Sequence, residues 1–215
     1  MSAIRTALLA LAVAVPATAP AVTSAHPHAW IDLDSRLIFD DQGKLEAVEL
    51  HWLFDEFYTA FIAGEFTTSG LDNPSAFLQE VAAENLANLE EYNYFTDLRQ
   101  NGTKLPLGEV RRFATGLEGE RLWLEFEVAL ADPADPAAGR IDFAVYDPTY
   151  WIEVLYHPGH SPTLDGIVAA DCTVFVMPPT PTPEQIAQAF ALDFNQTGEN
   201  GLGRHFAEIA QIDCR

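Results

Sequence analysis

The residues of this chain best suited to metal chemistry are histidines, and two of them stand together in the segment His26-Pro27-His28-Ala29-Trp30-Ile31-Asp32. Residues 2–25 precede it with one positive charge, an apolar run and a small-residue end, as in a secretory signal peptide. Cleavage after Ala25 would free the α-amine of His26. An amine beside an imidazole, with a second imidazole two residues on, offers nitrogen ligands to nickel, copper, cobalt or zinc. A frayed, solvated chain end is the alternative interpretation.

Pro27 restricts how a metal site could be built at this end of the chain. The square-planar chelate of a free N-terminus with histidine third requires the amide nitrogens of residues two and three to lose their protons. Proline has no amide proton to lose, so the remaining ligands must come from elsewhere in the fold. We therefore predict a fold-dependent site of mixed nitrogen and oxygen ligands, suited to nickel, cobalt or zinc and weakened at low pH.

Further ligands can be placed by the alternation of apolar and polar residues. Residues 30–39 and 45–54 alternate and are separated by a turn sequence, which predicts a β-hairpin. Their apolar faces coincide only if paired residue numbers add to an odd sum, such as 85 with Gln42-Gly43 as a two-residue loop. This register places His51 opposite Asp34.

The same register gives the hairpin one polar face. Six side chains are predicted to share it: His28, Asp32, Asp34, Glu49, His51 and Asp55. A polar sheet face is usually only the solvated side, which is the alternative here. Because the face begins at the N-terminal histidines, we predict His26, His28 and His51 as metal ligands. Asp32, Asp34 or Asp55 would act as a ligand or as a hydrogen-bond partner of a ligand.

A second candidate metal pair is His157 and His160, which flank Pro-Gly in a predicted loop. Their spacing lets two imidazoles converge in a turn. His205 stands by itself and is interpreted as structural or exposed. The chain has no Gly-rich phosphate loop, nucleophile elbow, C-x-x-C or H-E-x-x-H, so we predict a protein that is not an enzyme.

Composition narrows the choice of partners. Without Arg5, ten basic residues stand against 32 acidic ones, a formal charge of −22 for the mature chain. Such a surface repels nucleic acid and anionic lipid and attracts cations. No segment after the signal approaches a transmembrane length. We therefore predict a periplasmic protein that is not inserted in the membrane.

The chain has two cysteines, Cys172 and Cys214. In an oxidising compartment they are predicted to form a disulfide, which would stabilise the fold by about 4 kcal/mol on the chain-entropy model. A thiolate metal pair is the alternative.

The pattern of elements predicts an α+β fold built on an antiparallel β-sheet or sandwich-like domain over residues 26–177. Two inserted helices are predicted, one near residues 55–63 that ends at Gly64 and one near residues 74–91 that is capped by Asn73. Residues 178–215 form a Pro-rich linker and a C-terminal helix that starts at a capping box from Thr182 to Gln185 and runs to about residue 194. This helical tail would pack on the same domain, tethered by the disulfide.

Several segments carry a resemblance to a known family. They are the export signal, the His26–Asp32 segment, Trp52-Leu53-Phe54-Asp55-Glu56-Phe57, Glu84-Asn85, Tyr92-Asn93-Tyr94-Phe95, Tyr146-Asp147-Pro148-Thr149-Tyr150 and the late Cys172. Over nearly the whole mature chain the sequence resembles the DUF1007 family of exported bacterial proteins. Members are often labelled as substrate-binding components of ABC transporters and are associated with nickel/cobalt permeases. The resemblance implies a periplasmic partner of metal transport and fixes no ligand list.

Together these observations predict an accessory protein that captures a divalent transition metal for a permease of the nickel/cobalt or ABC type. Nickel, cobalt or zinc fit the ligand types, and copper is possible. One alternative is a copper-dependent oxidase that uses His26 as an N-terminal chelate. Another is an interaction module of an ABC-type transporter that binds no metal.

Overall fold

The computed structural model describes residues 26–166, 172–193 and 196–214. The predicted signal peptide lies outside the described residues. The strands are β1 Ala29–Phe39, β2 Leu45–Phe54, β3 Thr96–Gln100, β4 Thr103–Lys104, β5 Leu107–Glu118, β6 Arg121–Ala134, β7 Ile141–Val145, β8 Ile152–Tyr156, β9 Thr163–Asp165, β10 Thr173–Met177 and β11 Ile209–Asp213. The helices are α1 Glu56–Ser69, α2 Pro74–Leu89 and α3 Pro183–Phe190, with 3₁₀ turns at Glu90–Phe95, Pro136–Ala138 and Gly203–Phe206.

The strands form two sheets. The first has the order β5-β6-β2-β1-β8, with β9 also paired to β1, and the second has the order β10-β11-β7-β3-β4. Pairing is antiparallel except that β8 and β9 run parallel to β1. The predicted α+β class with a mainly antiparallel sheet is confirmed.

The two sheets share one hydrophobic core. Every second residue of β1, including Ile31, Leu33 and Leu37, is almost fully buried. Leu98 and Phe143 of the second sheet belong to the same buried cluster. Burial of such side chains stabilises the fold by about 1.5–3 kcal/mol each. Because the odd-numbered residues of β1 point inward, its even-numbered residues form the outer face of the first sheet.

The β1–β2 hairpin has the predicted register, with Asp34 opposite His51. The predicted two-residue loop Gln42-Gly43 is wrong. A bulge at the end of β1 shifts the register by one residue, and the turn spans Asp40 to Lys44. The Asp40 carboxylate accepts a hydrogen bond from the Lys44 amide at 2.9 Å, which stabilises the longer turn.

The first helix begins as predicted and ends later. The Asp55 carboxylate accepts hydrogen bonds from the first amides of α1 and caps it. The predicted end at Gly64 is wrong, because the helix continues to Ser69 and ends at Gly70, which has a φ of 77°. Gly64 lies mid-helix, where an added Cβ would have no atom within 4 Å, so nothing forces a break there.

The other two helices have the predicted start signals. Asn73 caps α2, and the capping box between Thr182 and Gln185 starts α3. The third helix ends at Phe190, earlier than predicted, and residue 194, where it was expected to end, lies outside the described residues.

The C-terminal tail contributes a strand to the interior of the second sheet. β11 lies between β10 and β7, and the predicted Cys172–Cys214 disulfide is confirmed. It joins the ends of the paired strands β10 and β11. No helix among the described residues is long and apolar enough to cross a membrane.

Candidate metal site

The outer face of the first sheet carries rows of side chains that cross the strands β1, β2, β6 and β5. Directly opposite residues have Cβ atoms about 4.5–5.5 Å apart. One row consists of Arg36, Glu49, Glu127 and Arg112. Two residues away along each strand, the adjacent row consists of Asp34, His51, Glu125 and Ala114.

The first row is an ion-pair network. Glu49 and Glu127 are buried, with 5% and 8% of their surface exposed. Glu49 accepts hydrogen bonds from Arg36 and Arg112, and Glu127 accepts from Arg112 at 2.9 Å and from Arg111 at 3.2 Å. Because buried carboxylates require such partners, this row is explained as structural.

In the adjacent row the carboxylates face imidazoles. Asp34 Oδ1 lies 2.6 Å from Nδ1 of His160, and Glu125 Oε2 lies 3.6 Å from Nδ1 of His51. Arg112 approaches Glu125 only to 3.9 Å. An open cleft of about 640 Å³ lies over this row, and all four of these acidic and histidine side chains line it. The row therefore combines two carboxylates with two imidazoles at a solvent-accessible surface.

The loop after β8 brings His160 to this row. The His157 amide donates a hydrogen bond to the Leu33 carbonyl at 3.0 Å, and the His160 amide donates to the His157 carbonyl at 2.8 Å. The chain then pairs with β1 again through β9, so the loop between these two pairings lies beside Asp34. The ring centroids of His157 and His160 are 4.6 Å apart, as their spacing around Pro-Gly predicted.

Neighbouring groups position both imidazoles. The ring of His51 stacks on Trp123, with centroids 5.5 Å apart and planes 19° apart. In both histidines the Nδ1 atom faces a carboxylate: Glu125 for His51 and Asp34 for His160. A carboxylate at Nδ1 favours the tautomer that leaves Nε2 free to ligate a metal. The Asp34–His160 pair thus has the hydrogen-bonded arrangement of a metal-binding histidine with its orienting carboxylate, whereas Glu125 lies beyond hydrogen-bond distance of His51.

The N-terminal histidines form a separate group with Trp151. The His26 and His28 ring centroids are 4.6 Å apart, and the His28 and Trp151 centroids are 4.0 Å apart. Burial lowers the pKa of both imidazoles, since desolvation disfavours the charged form. The proximity of His26 lowers the pKa of His28 further. For His26, a hydrogen bond to the Gln196 backbone partly opposes the shift.

The structure does not bring the two histidine groups together. His28 precedes Asp34 by six residues along an extended segment. At about 3.3 Å per residue, His28 therefore lies about 20 Å from Asp34 along the chain direction. Asp32 forms an ion pair with Arg121 at 2.7 Å. Asp55 caps α1 and also accepts a hydrogen bond from the Trp30 amide at 2.8 Å. Both predicted carboxylates thus have structural partners.

Within residues 26–166, 172–193 and 196–214, no three His, Cys, Asp or Glu side chains are grouped so as to hold a metal ion. The row over β1, β2 and β6 is instead two imidazole–carboxylate pairs side by side. Glu125 and the stacking partner Trp123 were not predicted as site residues. The alternation of β6 indicated that both share one face, but only the pairing of β6 with β2 places that face beside His51.

The fold and the cleft define an α+β protein of two sheets with histidines and carboxylates across the outer face of one of them. The chain belongs to the family described as "Protein of unknown function (DUF1007)", whose model matches residues 9–214. A protein of Haemophilus influenzae named "Uncharacterized protein" is 24% identical over 191 residues. The match covers 88% of this chain and 91% of that protein.

Proposed function

We propose that this protein binds a divalent transition-metal ion in the cleft over Asp34, His51, Glu125 and His160. We further propose that it serves in the periplasm as a metal-binding accessory protein of a membrane transport system. The observation that supports metal binding is the contrast between two adjacent rows on one sheet. In one row arginines neutralise the carboxylates, whereas in the other the carboxylates face imidazoles.

The donor set determines the class of ion. In the proposed site the imidazole nitrogens of His51 and His160 are the nitrogen ligands, and these side chains move together when the ion binds, because they are not grouped around one point in the structure. His157, whose ring centroid is 4.6 Å from that of His160, would supply a third imidazole. Asp34 and Glu125 orient the rings and balance the charge of the ion. Mixed imidazole and carboxylate donors suit zinc, nickel and cobalt, and imidazole also suits copper.

The transport role rests on two further considerations. The formal charge of −21 for the full sequence attracts cations to the surface, and an open cleft allows an ion to enter and leave. The family resemblance associates such proteins with nickel/cobalt permeases and with ABC transporters. A permease of either type is the proposed partner.

Calorimetric titration of the chain from His26 onward with Ni²⁺, Co²⁺ and Zn²⁺ tests the site. We expect His51→Ala and His160→Ala each to weaken binding at least about tenfold, which corresponds to about 1.4 kcal/mol. Asp34→Asn should weaken it by about 10- to 100-fold through loss of ring orientation. His205→Ala is the matched control, because His205 is exposed and lies outside the cleft.

Trp123 provides a second measurement. Because its ring stacks on His51, bound Ni²⁺ or Cu²⁺ should quench its fluorescence, and Trp123→Phe should abolish that quenching. Wild-type affinity in His51→Ala and His160→Ala would refute the cleft as the site. A loss confined to the double variant His26→Ala/His28→Ala would assign binding to the N-terminal group instead.

A further inference from the structure

A second cavity lies on the other side of the first sheet from the histidine cleft, between the end of β2 and the helices α1 and α2. Its volume is about 200 Å³, and of the described residues that line it none is charged. Five aromatic side chains contribute to its walls: Trp52, Phe54, Tyr58, Tyr92 and Phe95. It is therefore an apolar site, unrelated in chemistry to the cleft over His51.

The aromatic rings form two stacked pairs. Trp52 and Phe95 stack with centroids 5.9 Å apart and planes 19° apart, and Phe54 and Tyr58 stack at 4.6 Å and 25°. Tyr92 lies against Phe95 at 6.3 Å and is 47% exposed, so it stands at the solvent side of the cavity. Flat, polarisable walls of this kind favour a flat guest, because aromatic groups prefer offset-stacked or edge-to-face contacts.

The wall that carries Tyr92 and Phe95 has an unusual backbone. Asn93, Tyr94 and Phe95 have φ values of 55°, 52° and 56°, in the left-handed region that residues with a Cβ rarely adopt. This conformation turns Tyr94 into the core, where it is 6% exposed, while Tyr92 and Phe95 remain at the cavity. Strained backbone of this type concentrates at ligand sites, where the surrounding structure maintains it.

Neutral polar groups accompany the aromatic walls. Asn85 donates a hydrogen bond to the Tyr58 hydroxyl at 3.2 Å, and Asn88 also lines the cavity. The indole N–H of Trp52 is buried and has no hydrogen-bond partner in the described part of the chain. Since buried donors are normally satisfied, this N–H is the donor of the cavity wall that an acceptor on a guest would satisfy. A guest reaches the Trp52 indole nitrogen only after a neighbouring ring has moved, because this nitrogen is not accessible to solvent.

We propose that this cavity binds a small neutral aromatic molecule that carries an amide or carbonyl group. A cavity of about 150 Å³ holds benzene, so about 200 Å³ accommodates one ring with a polar substituent. A charged guest would be desolvated without a counter-charge in the wall.

The probe is benzamide, with benzoate and benzylamine as charged analogues of similar size. The protein has four tryptophans, so a two-dimensional ¹H–¹⁵N spectrum shows four indole signals, and Trp52→Phe assigns the one from Trp52. We expect millimolar benzamide to shift that signal saturably in metal-free protein. Benzoate and benzylamine should bind at least about tenfold more weakly. Equal binding of a charged analogue would overturn the proposed ligand class.

Two variants test the location. Leu89→Trp places an indole in the cavity and should abolish the benzamide shift, whereas the control Leu71→Trp, at an exposed leucine outside the cavity, should retain it. If Leu89→Trp does not fold, Tyr92→Ala removes a half-exposed wall residue and should weaken binding several-fold. The absence of a saturable shift in the wild type would refute the site. So would benzamide binding that is unchanged in the cavity variants.

Discussion

The Cys172–Cys214 disulfide allows a quantitative test of how the C-terminal tail stabilises the fold. The two cysteines are separated by 42 residues, and on the chain-entropy model a closed loop of that length destabilises the unfolded state by about 4 kcal/mol. We expect Cys172→Ser/Cys214→Ser to lower the free energy of unfolding by about that amount. The effect should be global, because β11 is an interior strand whose Ala210 and Ile212 are buried in the shared core.

Urea denaturation followed by tryptophan fluorescence separates a global loss from a local one. All four tryptophans, at positions 30, 52, 123 and 151, lie outside the looped segment. With an m-value of about 2 kcal/mol/M, the midpoint should fall by about 2 M urea. Cys172→Ala/Cys214→Ala controls for the polarity of serine. A fluorescence midpoint that does not move would show that β10 and β11 do not unfold together with the rest of the protein, and would refute the argument.

Three further predictions concern stability and its dependence on pH, each measured by thermal or urea unfolding. Gly64→Ala should stabilise the protein by about 0.5–1 kcal/mol, because Gly64 lies mid-helix with open space around a Cβ. Gly203→Ala should destabilise it by about 2 kcal/mol or more, because the new Cβ would lie 1.8 Å from the Asp147 carbonyl oxygen; equal stability would refute that close approach. The pKa of His26 and the pKa of His28 are lowered in the folded state. As the pH falls below 6.5 the unfolded chain therefore binds more protons at these histidines than the folded chain does, and the free energy of unfolding decreases. His26→Gln/His28→Gln should reduce this pH dependence, and an unchanged slope would contradict the assigned cause.

The sequence predicted those parts of the fold that depend on local signals. The register of β1 and β2 followed from parity, because one buried face fixes which residues can pair. Asn73 and Thr182 marked helix starts through their side-chain chemistry. The parallel pairing of β8 with β1 was not predictable in this way, since it joins segments more than a hundred residues apart. Strand order across such distances leaves no periodic signal in either segment.

The same distinction between local signals and long-range strand pairing applies to the residues of the candidate site. Asp34 and His51 were placed together by a hairpin, and His157 and His160 by a turn, and both placements agree with the structure. The contact between Asp34 and His160 depends on β8 lying beside β1, so it could not be predicted locally. The grouping of His26 and His28 with His51 rested on a shared face, and alternation along a strand fixes the side of the sheet without fixing distance.

The two rows on the first sheet show why net charge alone does not locate a cation site. Both rows present two carboxylates and cross the same strands β1, β2 and β6 in the same backbone register. Arginine remains protonated at all physiological pH values. In the row of Arg36 and Arg112 the guanidinium groups therefore neutralise the carboxylates, which leaves no free carboxylate charge to bind a metal ion. An imidazole can be neutral near pH 7 and then has a lone pair for a metal. Although the sequence has an excess of acidic residues, a cation therefore finds nitrogen ligands where a carboxylate faces histidine and not arginine, as Asp34 faces His160.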